Sequence, residues 1–405
     1  CAKKDNMLCK AGEEISAHEF HHWDCTQPGN DFNATNSTFE IKGGVNTYFS
    51  GNAKVVLDNS TWSLPGYANI GSYGGYMYGN ADVTLKNGSS MTATSLGIEV
   101  SGEKVVKLTL EDTSSLTAPK LTNQGSIVLA SVDATLISNK VGNVTTSVAD
   151  HMVEWTDGTY KAVSASAKIG STYYKTLQDA VKAVQDGETI TLVRDVEASE
   201  VILLGKSVTI NGEGHKVTSS ATRVFRVTTS NTEVTLNGVN MVSTAVRVGT
   251  NDVRGISIDP QLTGVKLTLN NCSVDFTDAS ANDWAYAVNV SGNGTGHTVT
   301  VNGGTYEGAN VINVHGAENT ITVKDATLTS TYPNSDNSEH YGACIWVLQN
   351  QGSTVVAEGN TFNGSNAIAF NLGTGTVLTA SNNTDNTKLF IIGQGTEDKP
   401  YLIKT

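Results

Sequence analysis

Polar and apolar residues alternate in short runs over most of the chain, and corners rich in Asn, Gly and Asp separate the runs. Residues 189–193 show the period of two that is typical of a strand with one buried face. The same form of strand, polar corner and second strand recurs ten times, at residues 53–64, 81–93, 106–118, 126–138, 207–219, 233–244, 266–277, 298–308, 320–330 and 354–364. Because the strand starts lie about 20 to 34 residues apart, they predict the coils of a β-solenoid.

One segment has a helical period instead. Four apolar residues fall at i, i+3, i+4 and i+7 and therefore share one helical face: Leu177, Ala180, Val181 and Val184. Thr176 suits the N-cap, and an Asp-Gly pair follows the last apolar position. The pattern predicts a short helix over 176–186 that covers the apolar core of the first coil.

The segment 173–196 (YYKTLQDAVKAVQDGETITLVRDV) and the stretch 153–170 before it resemble sequences of bacterial adhesin-like surface proteins. The repeats resemble the right-handed parallel β-helix, or pectin-lyase-like, superfamily. This resemblance implies an all-β fold, a right-handed parallel β-helix with a short capping α-helix.

The repeats and their interruptions predict four regions. Residues 1–30 form a Cys/His-rich N-terminal tip, 31–150 a first β-helical segment and 151–165 a linker. Residues 166–405 form a second β-helix, capped by the helix at 176–186.

The balance of charge narrows the range of partners. The chain has 26 Lys and Arg against 39 Asp and Glu, for a net charge of −13. Nucleic acids and anionic membranes bind basic surfaces, so neither is expected as a partner. No window is apolar over the ~18 to 20 residues that a membrane-spanning helix needs. We expect an extracellular or cell-surface protein, with Cys1 as a candidate lipid anchor.

The N-terminal tip contains three of the five cysteines. Cys9 and Cys25 are a candidate disulfide, and the favoured interpretation is a disulfide-closed tip with solvated histidines. A structural zinc site built from Cys9, His18, His22 and Cys25 is the alternative, although the spacing fits no known zinc family. Elsewhere Cys272 and Cys344 are expected to be buried small hydrophobes. No cofactor is predicted, and the acidic surface leaves calcium open.

Aromatic residues in and beside two long loops are the first set of candidate ligand-binding residues. They are Trp284, Tyr286, His340, Tyr341 and Trp346. Aligning AYAVNV at 285–290 with GACIWV at 342–347 places both loops at the same corner, two coils apart. Aromatic rings beside Asn and Asp suit sugars, so we expect a carbohydrate site. In the alternative interpretation, Tyr286 and Trp346 pack beneath their own loops.

The arginines supply the second set. All five lie within 61 residues of the sequence, and Arg223, Arg247 and Arg254 are the candidates for binding an acidic glycan. The alternative is that they pair with carboxylates of neighbouring coils.

These features predict a non-catalytic adhesin-like protein whose loops bind a glycan or a host surface. No Asp-Asp pair of the kind that glycoside hydrolases of this superfamily use is present. One alternative is a polysaccharide lyase or glycoside hydrolase, in which Arg254 acts with Asp252 or Asp259. The resemblance implies this option because pectate lyases of the superfamily use an Arg base beside carboxylate-held calcium. A purely structural stalk module is the second alternative.

Overall fold

The structure is a computed structural model that describes residues 31–40, 47–49, 53–71, 79–247, 252–277, 284–332, 342–348, 352–371 and 375–392. Seven residues singled out from the sequence lie outside the described residues: Cys1, Cys9, His18, His22, Cys25, His340 and Tyr341. The predicted disulfide and the zinc alternative of the N-terminal tip both fall in this group. The chain divides into two compact units, residues 1–164 and 165–405.

The first unit is built from short strands that stack in parallel. They are β1 (Asp31–Thr35), β2 (Thr38–Glu40), β3 (Thr47–Phe49), β4 (Ala53–Asp58), β5 (Thr61–Gly71), β6 (Ala81–Lys86), β7 (Ser90–Glu99), β8 (Val106–Leu110), β9 (Ser115–Ala118), β10 (Lys120–Asn123), β11 (Ser126–Leu129), β12 (Thr135–Ser138), β13 (Val144–Thr146), β14 (His151–Thr156) and β15 (Thr159–Ser164). One sheet has the order β1-β4-β6-β8-β11-β13, and the other has the order β14-β15-β12-β9-β7-β5-β2, with β3 on β5 and β10 on β7.

Equivalent apolar residues stack along the axis of this unit. Leu57 pairs in register with Leu85, Leu85 with Leu110, and Leu110 with Leu129. All four side chains are fully buried. Each buried leucine contributes about 1.5 to 3 kcal/mol of transfer free energy. The alternation in the sequence is thus the alternation between this core and solvent.

Residues 151–164, within the predicted linker, form the hairpin β14–β15 and belong to the first unit. Strand β15 adds to β12 in antiparallel orientation, with Leu136 opposite Tyr160. The Tyr160 hydroxyl donates to the Val141 carbonyl at 2.7 Å. Because the hairpin pairs with the last parallel strand of this sheet, it occupies an edge that would otherwise expose backbone groups.

The second unit continues the same construction with longer coils. Its strands are β16 (Ala167–Ile169), β17 (Thr172–Tyr174), β18 (Glu188–Leu192), β19 (Val196–Ala198), β20 (Ile202–Leu204), β21 (Val208–Asn211), β22 (Lys216–Ser219), β23 (Arg223–Val227), β24 (Glu233–Asn237), β25 (Asn240–Ser243), β26 (Val253–Ile258), β27 (Lys266–Asn270), β28 (Ser273–Phe276), β29 (Ala285–Val290), β30 (Thr298–Asn302), β31 (Thr305–Gly308), β32 (Ile312–Val314), β33 (Thr320–Lys324), β34 (Thr327–Ser330), β35 (Ala343–Leu348), β36 (Thr354–Glu358), β37 (Thr361–Asn371), β38 (Val377–Ser381) and β39 (Thr384–Ile392).

Each coil supplies strands to three faces. The first face is the sheet β17-β16-β18-β21-β24-β27-β30-β33-β36-β38. The second face runs β19-β22-β25-β28-β31-β34, and the third runs β20-β23-β26-β29-β32-β35; the long strand β37 joins them in one sheet. Together with the helix described next, this pairing confirms the predicted parallel β-helix.

Helix α1 (Leu177–Ala183) lies at the first coil, as predicted. The Thr176 hydroxyl accepts a hydrogen bond from Asp179 N–H at 3.0 Å, which satisfies a free donor of the first turn. Leu177, Ala180 and Val181 are buried in the same core as the first strands of the unit. The helix ends three residues before the predicted Asp186, because Val184 turns to extended backbone (ψ 142°) and is itself buried.

The polar corners satisfy backbone groups between coils. Gly238, Asn271 and Gly303 follow successive first-face strands with φ of 57°, 49° and 66°, the left-handed region that Gly and Asn tolerate. At another corner the N–H of Val265 donates to His297 Nδ1 at 3.2 Å. The N–H of His297 in turn donates to Asn319 Oδ1 at 2.9 Å, which repeats the arrangement one coil on.

Cys272 and Cys344 are free and fully buried, as predicted. Burial raises the pKa of the Cys272 thiol to about 11 and that of Cys344 to about 12. Among the described residues, no helix has the length and hydropathy needed to cross a membrane.

Candidate functional site

A pocket opens on the third face of the second unit, where β26, β29, β32 and β35 lie side by side. Its volume is about 210 Å³. We call it the Arg254 pocket, and its lining is Asp252, Arg254, Trp284, Tyr286, Asn289, Ser291, Gly292, Asn313, His315 and Trp346.

Strand register explains why these residues meet. Ser257 pairs with Asn289, Asn289 with Asn313, and Asn313 with Trp346, so one row crosses four coils. This register confirms the predicted alignment of 285–290 with 342–347, two coils apart. A parallel row contains Arg223, Arg254 and Tyr286.

The structure brings together three of the five predicted aromatic residues. Tyr286 and Trp346 are buried, at 3% and 4% exposure, and form a small cluster with Ala343. Trp284 is half-buried and packs against this cluster. The alternative interpretation also expected Tyr286 and Trp346 to be buried, and within the described residues the contacts that bury them come from neighbouring coils. Of these three rings, only Trp284 presents appreciable surface for stacking against a ligand.

The predicted arginines are distributed around the same pocket. Arg254 lines it, and its Nη2 donates to Asp252 Oδ2 at 3.0 Å. The Arg247 guanidinium lies 5.3 Å from the centre of the Trp284 ring, and its Nε is 3.8 Å from Asp252 Oδ1. Arg223 is the register neighbour of Arg254 but is not part of the lining.

The two carboxylates named for the lyase alternative are both engaged by arginine. Asp252 contacts Arg254 and Arg247, and Asp259 accepts from Arg226 of the preceding coil. In the part of the chain that the structure describes, no three His, Cys, Asp or Glu side chains cluster as a metal site. Calcium binding therefore remains a prediction, and the described residues include no carboxylate cluster that would hold the ion.

Positive charge accumulates here against the trend of the whole molecule. Among the described side chains, Arg223, Arg226, Arg247 and Arg254 face Asp252 and Asp259, and the formal charges of these six sum to 4 − 2 = +2 in a chain of net charge −13. Burial lowers the pKa of Arg223, and the nearby charges of Arg254 and Arg226 lower it further. A surface that crowds guanidinium groups favours an anionic ligand.

His315 is a pocket residue that the sequence analysis did not single out. Its ring lies edge-on to Trp346, with centroids 6.3 Å apart. Burial lowers the pKa of His315, and the positive charge of Arg254 lowers it further, while Asp252 opposes the shift. The lowered pKa favours a neutral imidazole at pH 7, the form that a general base must have.

Two asparagines and a serine were also missed. Asn313 Nδ2 donates to Asn289 Oδ1 at 2.6 Å, and Asn289 Nδ2 donates to Ser291 Oγ at 2.9 Å. The signal was an alignment of the third-face strands, GISID at 255–259, AVNVS at 287–291 and VINVH at 311–315. It places Ser257, Asn289 and Asn313 in one row, with Asp259, Ser291 and His315 two positions further along each strand.

No family model matches the chain, and no curated protein matches it. One solved structure that is similar in fold is described as "Structure of PL6 family alginate lyase AlyGC". The two share 12% sequence identity and a TM-score of 0.31, over 90% of this chain and 68% of the other. At these values the likeness says nothing about activity or substrate, so the function is argued from the pocket itself.

Proposed function

We propose that this chain is a non-catalytic, adhesin-like β-helix protein of the cell surface or extracellular space that binds acidic glycans in the Arg254 pocket. The observation that carries the proposal is the convergence of two independent sets of residues. Aromatic residues in and beside long loops and two arginines, Arg247 and Arg254, line or border one pocket, although they are spread over about a hundred positions of the sequence.

Each part of the pocket suits one part of an acidic sugar. The guanidinium of Arg254 suits a carboxylate or sulfate, and the amides of Asn289 and Asn313 suit hydroxyl groups. The half-buried Trp284 ring suits the apolar face of the sugar. At about 210 Å³ the pocket is smaller than the roughly 300 to 1,000 Å³ of drug-sized sites, so it holds one sugar residue of a longer chain.

A glycan array of neutral and acidic oligosaccharides, followed by calorimetric titration of each binder, tests this proposal. R254Q should weaken binding about ten- to a hundredfold, because a hydrogen bond to a charged group contributes about 1.5 to 3 kcal/mol and about 1.4 kcal/mol is tenfold. R226Q removes the same charge from a residue that pairs with Asp259 and is not part of the lining, so it should weaken binding only through screened long-range attraction, by about twofold or less. Equal effects of the two variants, or no binding by the wild type, would refute the proposal.

The same pocket supports a second candidate function, polysaccharide lyase activity, through the neutral imidazole of His315 near Arg254. In such a reaction Arg254 would neutralise the uronate carboxylate while His315 removes the proton from the adjacent carbon. The electron pair left on that carbon forms a double bond as the glycosidic C–O bond breaks, and the leaving oxygen takes up a proton.

The test is the appearance of unsaturated uronate absorbance with alginate, polygalacturonate and other acidic polysaccharides, with and without calcium. Turnover that is lost in H315Q and retained in R226Q would replace the binding proposal by the lyase. Binding without turnover supports the adhesin-like function. Neither binding nor turnover would leave the purely structural stalk module.

A further inference from the structure

Two rows of asparagines run along the second unit, and they end in different surroundings. On the first face, Asn237, Asn270 and Asn302 each donate Nδ2 to the Asn Oδ1 of the preceding coil at 2.9, 2.8 and 2.9 Å. The last of them, Asn302, is exposed. Solvent can therefore satisfy the amide oxygen at the end of this row.

The third-face row ends inside the Arg254 pocket. Asn313 donates to Asn289, but its neighbour on the next coil is Trp346, which has no amide to donate in return. Asn313 is only 2% exposed, and within the described ranges no hydrogen-bond donor reaches its Oδ1. An unsatisfied buried acceptor costs free energy, and native proteins retain few of them.

In the structure, the hydrogen-bond chain leaves over the amide oxygen of Asn313. Asn289 Nδ2 donates to Ser291 Oγ, so Asn289 presents its oxygen to Asn313. Asn313 uses its nitrogen in this bond, and its oxygen remains available. The same pocket contains a complementary group, because Arg254 Nε has no acceptor among the described residues while Nη2 is held by Asp252.

We propose that Asn313 determines the specificity of the Arg254 pocket, its Oδ1 accepting a hydrogen bond from a ligand hydroxyl while Arg254 Nε donates to an acidic oxygen of the same sugar. The proposal rests on the proposed glycan binding and adds to it a required hydroxyl group. A sugar in which that hydroxyl is methylated or missing leaves the buried acceptor unpaired. Sites built to bond a substrate hydroxyl discriminate strongly against such analogues.

The experiment compares trigalacturonate, trimannuronate and triguluronate with their O-methylated forms by calorimetric titration. The wild type should prefer at least one free trisaccharide to its methylated form by about tenfold or more. N313L fills a similar volume without polar atoms, so it should bind both forms equally while R254Q weakens both. The matched control is N302L, at the solvent-facing end of the first-face row, which should keep the preference.

Thermal unfolding of each variant separates a specificity role from a structural one. If Asn313 selects the ligand, N313L loses the preference while it still unfolds cooperatively, although the buried Asn289 Oδ1 loses its donor. A lower melting temperature with the preference intact would show a structural role and overturn this inference, leaving glycan binding in place. A wild type that binds none of the acidic trisaccharides would refute the proposed function and this inference with it.

Discussion

The buried His297 should make the second unit sensitive to mild acid. Its side chain is fully buried, and its Nδ1 accepts the N–H of Val265 at 3.2 Å. Protonation would place a hydrogen on Nδ1, so that two donors would face each other. Burial lowers the pKa of His297 from its usual 6.5, in the direction that the geometry requires.

The sign and size follow from proton linkage. Because the folded pKa is lowered, the unfolded chain binds the proton more readily, and stability is lost as the pH falls below about 6.5. Each pH unit between the unfolded and folded pKa values removes about 1.4 kcal/mol of unfolding free energy. Between pH 7.5 and 5.5 we therefore expect this residue to reduce stability, by no more than about 1.4 kcal/mol.

Urea unfolding at the two pH values, with wild type and H297N, measures this loss. Asn keeps an acceptor at the position, as Asn319 does on the next coil, but it does not titrate. The decrease in stability from pH 7.5 to 5.5 should be smaller in H297N than in the wild type, by no more than about 1.4 kcal/mol.

H315N is the matched control, because burial also lowers the pKa of His315; it should keep the part of the decrease that His297 causes. Hydrogen exchange of Val265 N–H, corrected for its intrinsic rate at each pH, reports the same event locally. An equal decrease in wild type and H297N, with unchanged protection of Val265, would refute the reasoning.

Three further experiments, two on variants and one on the wild type, test the fold. T176A removes the N-cap that accepts from Asp179 and should lower the unfolding free energy of the second unit by about 1 kcal/mol, whereas T176S should not; equal urea midpoints would contradict the capping role. G255A places a Cβ 2.6 Å from the Ala287 carbonyl oxygen and 2.7 Å from a Val274 methyl. We therefore expect the free energy of unfolding to fall by about 1 to 3 kcal/mol. An unchanged melting temperature would show that the coils can separate there. The thiols of Cys272 and Cys344, with pKa values near 11 and 12, should not react with a thiol reagent at pH 8 until urea unfolds the chain, and prompt labelling of the native protein would contradict their burial.

The architecture could be predicted from the sequence because every coil repeats the same local pattern of alternating apolar and polar residues followed by a polar corner. Alternation around Leu57, Leu85 and Leu110 marks one stacked position in three successive coils. Corner residues such as Asn271, which require positive φ, mark where the chain turns. The hairpin β14–β15 was not predicted, since its antiparallel pairing with β12 depends on which edge of the sheet is open rather than on local pattern.

The pocket was predicted only in part, because coils of unequal length conceal the third-face row. Its members Ser257, Asn289, Asn313 and Trp346 are separated by 32, 24 and 33 residues, so no fixed period links them. Alignment across two coils found Trp346 opposite the position of Asn289 but passed over Asn313 and His315 on the coil between them. Tyr286 and Trp346 were expected as ligand contacts from residue type alone, which does not reveal that neighbouring coils bury both rings.

The pocket lies where rows of like residues on neighbouring coils are interrupted by a different residue type. A parallel β-helix gains stability when each row continues with like residues, as the first-face asparagines do. On the third face, Trp346 follows Asn313 in the amide row, and Tyr286 follows Arg254 in the row beside it. The first exchange leaves Asn313 Oδ1 without a donor, and in the row beside it Arg254 Nε also has no acceptor in the described part of the chain. Departures of this kind weaken the fold and are found mainly at functional sites, so two of them in one pocket make this face, among those described, the one to test for binding.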